Sequence, residues 1–355
     1  MAISQNTQIY QSLKQILQKA PKPQLHLHLD GSLPSEYVIE NFPKLKQKQE
    51  TQNLFKNFVE IPENIKTDLE LRTHFRNIKK IQYKNDSKQE KARNWGTFDF
   101  MNQFLQTKEE ITHLVEVVML GLFEKEGVNL LELRFAPILH TLLGLNQEEI
   151  IEAASVGFKN GQKVIQDKYG QKMYGGLLLC GLRSFPPEEN ENLMILIDKL
   201  QKQGNNIILG YDLAGDEGYH ITLHEKSFQI GKKLGIKMTC HAGEWNEQFK
   251  SVDSIKYAIQ YGCNRIGHGL TLRSANQELI EEISQKKIGV EVCLTSNCST
   301  ESKCKWYDVH TIKLMIEKDI KVAGLNCDNL LLSGSDICKY YFLYMLIQQL
   351  YRKII

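Results

Sequence analysis

The chain has 355 residues, 42% of them hydrophobic and 24% charged, a composition typical of a globular protein that can bury a large core. Its formal net charge is only +2, which argues against a nucleic acid or a membrane surface as its partner. Eight scattered cysteines without a CxxC pair, and the lack of a signal-like or membrane-length apolar run, predict a cytoplasmic protein with reduced thiols.

The first strand candidate is LHLHL at 25–29. Alternate side chains of a strand leave the same face, so His26 and His28 point one way and the leucines between and beside them point the other. Two imidazoles on one face make half of a metal site, although an HxH pair also fits two hydrogen-bonded histidines at a strand end.

A long interval follows the first strand, from residue 35 to about 120. It is far longer than a crossover helix needs, and it contains Lys/Gln-rich runs and the aromatic stretch WGTFDFMNQF at 95–104. Because an insertion after a barrel strand emerges where parallel barrels build their active sites, we expect a helical lid.

From residue 129 onwards, apolar runs alternate with amphipathic helical patterns, as in a parallel sheet covered by helices. We therefore predict one α/β domain over 1–355, a (β/α)8 TIM barrel with a helical insertion after strand 1; a doubly wound open sheet is the alternative. The residues after strand 8 are expected to supply one amphipathic helix that closes the barrel. The seven further strand candidates are 129–135, 173–180, 206–213, 236–241, 264–269, 288–293 and 320–328.

Polar residues follow these strands at the same end of the predicted barrel, in AGDE (214–217), HAGE (241–244), GHG (267–269) and NCDN (326–329). Glu244 lies three residues beyond His241, close enough for acid–base catalysis. His268 could orient or deprotonate a metal-bound water, or be an ordinary rim histidine. A nitrogen-rich ligand set suited to Zn²⁺ plus a water is formed by His26, His28, His241 and Asp328.

Other ionisable residues in these segments have simpler interpretations. We expect Asp216 and Glu217 to be carboxylates at a helix N-terminus, with no part in the site. The remaining histidines of interest are interpreted as surface or loop residues: His140, His220, His224 and His310.

HLHLDGSL, LELRFAP, DLAGDE, CHAGE, RIGHG and NCDN occur in this order, and from about residue 20 to 335 the chain resembles the adenosine deaminase family of metal-dependent amidohydrolase barrels. The resemblance implies one zinc per chain. It also implies hydrolysis of adenosine or 2′-deoxyadenosine to inosine or 2′-deoxyinosine and ammonia, a purine salvage reaction. Carried over by position, the zinc ligands would be His26, His28, His241 and Asp328.

The resemblance also implies roles around the substrate. Glu244 would protonate purine N1, and His268 with Asp328 would hold the attacking water. Gly215 would donate its backbone N–H to purine N3, Asp30 would bind the ribose 5′-hydroxyl, and the zinc ligand His28 would also border the substrate. Asn329 stands where the family commonly has a second aspartate, and its amide can donate to purine N7 at any pH.

Four other functions remain as alternatives to weigh. A two-metal amidohydrolase usually has a lysine at the end of strand 4, which GYDLAGDE lacks, and the cytidine-type HxE…PCxxC signature is absent. Deamination of adenine, AMP or N6-methyl-AMP stays open as an alternative activity, although Asp30 should repel a 5′-phosphate. A catalytically inert barrel that acts as a binding protein is disfavoured because every ligand and the acid are retained. We expect a monomer that binds a small purine nucleoside.

Overall fold

The computed structural model describes residues 8–52, 61–82, 96–244, 251–300, 311–338 and 340–341. Eight parallel strands form one sheet in chain order, which confirms the (β/α)8 TIM barrel and excludes the doubly wound alternative. The strands are β1 (Lys22–His28), β2 (Val128–Phe135), β3 (Tyr174–Leu182), β4 (Ile208–Ala214), β5 (Lys237–Ala242), β6 (Arg265–His268), β7 (Gly289–Val292) and β8 (Lys321–Leu325).

The barrel closes between its last and first strands through residues just beyond β8. Leu27 and Asp328 form an isolated parallel bridge. The backbone N–H of His28 donates to the carbonyl of Asp328 at 2.8 Å, and the N–H of Asp328 donates to the carbonyl of His26 at 2.9 Å. The closing bonds therefore join three of the four predicted metal ligands directly.

Helices lie between the strands and carry the local signals that begin and end helices. The helix before β3 begins with a capping box, in which Asn146 and Glu149 bond each other's backbone N–H, and it ends at the left-handed Gly170. No helix in the described ranges combines the length and apolarity needed to cross a bilayer. The helices are α1 (Gln8–Lys19), α2 (Ser35–Gln52), α3 (Asp68–Gln82), α4 (Lys108–Gly121), α5 (Gln147–Tyr169), α6 (Pro187–Lys202), α7 (Glu225–Leu234), α8 (Ser251–Gln260), α9 (Gln277–Gln285), α10 (Leu294–Thr300), α11 (Ile312–Glu317) and α12 (Leu330–Ser333).

The insertion after β1 is mostly helical where it is described, with turns and coil at 61–67 and 103–107. It consists of α2, α3, a helical segment at 96–102, and α4, which continues into a π-helical turn at Leu122–Glu126. Phe100 lies at its centre, with ring centroids 6.0 Å from Phe42, 6.3 Å from Phe75 and 5.5 Å from Phe104. Burial of these aromatic rings joins the insertion to the main hydrophobic core.

Two sequence predictions fall partly outside the described residues. Residues 83–95, which include most of the second Lys-rich run and Trp95, lie outside the described residues. The lid function of the insertion therefore stays a prediction. Residues 337–338 and 340–341 are helical, whereas 342–355, the rest of the expected closing helix, is not described. All cysteines in the described ranges are free, in agreement with the predicted reduced thiols, and only Cys298 among them is not fully buried.

Candidate metal centre and active site

The four predicted metal ligands converge at the carboxyl ends of three strands of the barrel. His26 and His28 end β1, His241 lies near the end of β5, and Asp328 follows β8. The Nε2 atom of His241 is 3.1 Å from that of His26 and 3.0 Å from that of His28. The Oδ1 atom of Asp328 lies 3.4 Å and 3.5 Å from the same two histidine nitrogens.

These separations fit a small tetrahedral cation. With zinc–nitrogen distances of about 2.0–2.1 Å, the ligand atoms of a tetrahedral zinc site are about 3.3 Å apart. The four ligand atoms all lie within 4.8 Å of one another. Three imidazole nitrogens at these separations can share a cation between their lone pairs, and the chemistry of this donor set suits zinc.

Two of the ligand imidazoles contact a carboxylate through Nδ1, the ring nitrogen that faces away from the other ligands. Nδ1 of His26 is 2.8 Å from Oε2 of Glu291, and Nδ1 of His241 is 3.0 Å from Oδ2 of Asp212. An ionised carboxylate accepts a hydrogen bond, so each Nδ1 carries the proton and each Nε2 keeps its lone pair for a metal. Nδ1 of His28 is 3.9 Å from Asp30, too far for a hydrogen bond.

One guanidinium joins the two orienting carboxylates. Arg134 donates to Asp212 at 2.9 Å and to Glu291 at 2.8 Å, and all three side chains are fully buried. Burial would raise the pKa of Asp212, but His241 and Arg134 outweigh it and hold that pKa well below its usual range. Burial is likewise outweighed at Glu291, chiefly by Arg134 and Arg265, so its pKa is also lowered. Both carboxylates therefore stay ionised.

Two candidate acid–base groups stand beside the ligands. Nδ1 of His268 donates to Oδ1 of Asn297 at 2.8 Å, an arrangement that leaves Nε2 as an acceptor. Oε2 of Glu244 lies 3.6 Å from this Nε2. Burial, reinforced by His26, lowers the pKa of His268 to about 3, so its imidazole is neutral and can accept a proton.

A cavity of about 300 Å³ opens onto this cluster. Phe98, Leu139, Leu182 and Phe185 give it apolar walls, and Phe98 comes from the insertion. All the predicted site residues except His26 line it: His28, Asp30, Gly215, His241, Glu244, His268, Asp328 and Asn329. His26 lies beneath the cavity and is fully buried. The structure thus brings the whole predicted set together, although their roles stay predictions.

The backbone is unusual where the site residues leave the barrel. His268 and Asp328 have φ values of 65° and 59°, a left-handed conformation that residues with a Cβ rarely adopt. Gly215 has φ 96°, and only glycine reaches this value without strain. Such conformations at strand ends are a common feature of binding and catalytic sites.

Two expectations from the sequence were wrong. No helix begins at Asp216 or Glu217, because the chain turns back over the barrel rim: Asp216 lines the cavity, and the buried Glu217 accepts hydrogen bonds from the backbone at 243–244. His140 and His224 are buried rather than on the surface. His220 is a half-exposed loop residue, as expected, and His310 lies outside the described residues.

The sequence analysis also missed residues that support the site. They share a detectable signal, since each is a charged residue within an otherwise apolar strand or at its end, and each becomes fully buried: Arg134 in β2, Arg183 after β3, Asp212 in β4 and Glu291 in β7.

Comparisons with known proteins agree with this geometry. The adenosine deaminase family profile matches residues 21–350. The adenosine deaminase of Clostridium acetobutylicum is 30% identical over 331 residues, which cover 93% of this chain and 88% of the relative.

Several solved structures share the fold. An Arabidopsis N6-mAMP deaminase has a TM-score of 0.72 and 21% identity, covering 93% of this chain and 88% of its own. An adenine deaminase from Arthrobacter aurescens has a TM-score of 0.68 and 19% identity, with 93% and 88% covered. An amidohydrolase from Burkholderia ambifaria with bound Zn has a TM-score of 0.72 and 16% identity, with 97% and 84% covered.

A (β/α)8 barrel with a cluster of histidines and an aspartate at the carboxyl ends of its strands, together with the family profile, identifies the chain as a metal-dependent amidohydrolase. More particularly, the chain belongs to the adenosine deaminase family, whose profile spans nearly all of it. It is therefore a hydrolase.

We predict that Asp212→Asn weakens zinc binding by about 10- to 100-fold, the usual effect of removing the group that orients a ligand histidine. The amide can present its NH₂ to Nδ1 of His241, so the tautomer that frees Nε2 is no longer enforced. Competition with a zinc-chelating dye measures the affinity. Asp167→Asn, at an exposed position of α5, is the matched control. Equal affinities in the two variants would contradict the orienting role of Asp212.

Proposed function

We propose that the chain holds one zinc ion through His26, His28, His241 and Asp328 and hydrolyses adenosine and 2′-deoxyadenosine at C6, in purine salvage. The observation that carries the proposal is the convergence of these four ligand atoms at the inner end of the cavity that Glu244 and His268 also line. The zinc-bound structural relative and the relatives named adenosine deaminase support it. When bound, zinc supplies a water that ionises near neutral pH.

The side chains of the site then have complementary tasks. Glu244 gives a proton to purine N1, which makes C6 more electrophilic. Neutral His268 accepts a proton from the attacking water at Nε2, its one ring nitrogen that is not committed to Asn297. Water adds to C6, the bond from C6 to the amino nitrogen breaks, and ammonia departs. The product is inosine or 2′-deoxyinosine.

The rest of the cavity would hold the nucleoside. Gly215 lets the backbone approach the purine closely, as its left-handed conformation permits. Asn329 lines the cavity, and its side-chain NH₂ would donate a hydrogen bond to N7. Asp30 lines the cavity wall and would bind a ribose hydroxyl.

The charge of the cavity favours a nucleoside over a nucleotide. A 5′-phosphate is normally bound by Arg, Lys or backbone N–H groups. Among the described residues that line the cavity there is no lysine or arginine, whereas Asp30, Asp99 and Asp216 all line it. Burial raises the pKa of Asp30 to about 7, which reduces the negative charge of Asp30 at neutral pH but supplies no positive charge.

The proposed substrate is tested with a panel of adenosine, 2′-deoxyadenosine, adenine, AMP and N6-methyl-AMP, with ammonia release as the common measurement. We predict that kcat/KM for adenosine exceeds that for AMP by at least about 100-fold, since a phosphate would be left without a cationic partner. Higher kcat/KM for AMP or N6-methyl-AMP would replace the nucleoside with a nucleotide as substrate. Higher kcat/KM for adenine would show that the sugar is not recognised.

We predict that Glu244→Gln retains the zinc content of the wild type but lowers kcat for adenosine by about 10²- to 10⁴-fold, the usual contribution of a positioned acid–base group. The amide keeps the size of the side chain but has no proton to transfer to N1. Metal analysis and kinetics on the same preparation separate the two effects. Wild-type turnover in this variant would remove Glu244 from the reaction.

A further inference from the structure

We propose that Glu217 is a positioning residue, which holds the backbone of Gly243 and Glu244 so that the Glu244 carboxyl meets the substrate. The role of Glu244 belongs to the proposed function, and this inference rests on it. Glu217 lies in the loop after β4. Both oxygens of its carboxylate accept hydrogen bonds from the loop after β5. Glu217 would thus act on the reaction without contacting the substrate itself.

Both carboxylate oxygens of Glu217 accept a hydrogen bond from a backbone N–H group of the turn that carries Glu244. The N–H of Gly243 donates to Oε1 at 2.8 Å, and the N–H of Glu244 donates to Oε2 at 2.9 Å. Glu217 is 1% exposed, so water does not compete for these bonds. An ionised acceptor makes stronger hydrogen bonds than a neutral one, and a buried N–H group left without a partner is unfavourable.

Arg183 holds the other end of the same turn. Its guanidinium donates to the carbonyl of His241 at 2.7 Å and to the carbonyl of Tyr219 at 3.1 Å. It also lies 3.9 Å from Oε1 of Glu217, with both side chains fully buried. One buried ion pair therefore fixes the chain on both sides of Ala242, from the carbonyl of a metal ligand to the amide of the acid.

The turn has little intrinsic preference for this shape. Gly243 has φ 76°, and a Cβ built there would lie 2.6 Å from Oγ1 of Thr271. The carbonyl of Gly243 accepts a hydrogen bond from Thr271 N–H at 2.9 Å, so both polar groups of this glycine are held from outside the turn. Glycine alone would allow many conformations, and Glu217 together with Thr271 selects one of them.

The position of the Glu244 backbone matters because it sets the position of the carboxyl, and proton transfer requires that carboxyl to be placed precisely. The carboxyl ends 3.6 Å from Nε2 of His268. A displacement of about 1 Å can slow a reaction by roughly 10²-fold. Releasing the backbone of Glu244 would therefore lower turnover even with the metal ligands and Glu244 itself intact.

The first test measures the clamp itself and needs no activity. Hydrogen exchange of the full-length, metal-loaded protein, followed by mass spectrometry, reports protection of the Gly243 and Glu244 amides. We predict at least about tenfold faster exchange of these amides in Glu217→Gln, which retains one acceptor oxygen but loses the charge. Glu225→Gln, an exposed glutamate at the start of α7, is the matched control and should exchange as the wild type does.

The second test asks whether Glu217 acts through Glu244. We predict that Glu217→Gln keeps wild-type zinc content and lowers kcat for adenosine by about 10- to 100-fold. In a double-mutant cycle, adding Glu217→Gln to Glu244→Gln should lower kcat by less than twofold further, because the acid is already lost. A side chain that only stabilises the fold would reduce activity to the same extent in both backgrounds.

Glu217→Asp keeps the charge but is one methylene shorter, and it should recover part of the lost turnover. Unchanged exchange at Gly243 and Glu244, or equal effects of Glu217→Gln in both backgrounds, would overturn the proposal. If the wild-type protein deaminates none of the 6-aminopurines, the proposed function fails instead. The exchange comparison then still decides whether Glu217 holds the turn.

Discussion

Two backbone hydrogen bonds between Asp328 and the first strand determine both the closure of the barrel and the composition of its metal site. They join Asp328 to His26 and His28, the residues on either side of Leu27. Because side chains alternate along a strand, a shift of one residue in this pairing would turn both imidazoles away from the aspartate. The predicted ligand set can therefore form only when the eight strands close in their observed order, so the fold and the predicted metal site depend on the same contacts.

The buried charges extend this dependence through the barrel. Asp212 and Glu291 both pair with the fully buried guanidinium of Arg134, and Glu291 also pairs with Arg265. Groups buried in this way are tolerated only when each is paired and hydrogen-bonded. A second buried pair, Arg183 with Glu217, holds the chain that carries His241 and Glu244. The predicted ligands and the predicted acid are thus held by buried charged side chains that do not line the cavity.

The fold could be predicted because it depends on periodic patterns, and the metal-site residues because they stand at the ends of predicted strands. The substrate contacts were implied only by the resemblance to the adenosine deaminase family. The apolar strand runs predicted eight strands, and the HxH alternation placed His26 and His28 on one face, as observed. Glu217 could not be predicted correctly, because its partners are backbone N–H groups of a different loop and no pattern encodes them. His140 and His224 were misjudged for a similar reason, since their burial depends on packing between separate elements. The charged residues inside β2, β4 and β7 were visible in the sequence, but their pairing needed the barrel.

The most direct test of the central claim is zinc analysis combined with X-ray absorption at the zinc edge of the purified protein. Closure through Asp328 predicts about one zinc per chain, bound only by nitrogen and oxygen at about 2.0–2.2 Å. Cys293 lies with His26 and His268 in a neighbouring group that could also hold a metal, and it offers a clear contrast. A sulfur ligand at about 2.3 Å, or a protein that does not bind zinc, would contradict the assignment of His26, His28, His241 and Asp328 as the metal site.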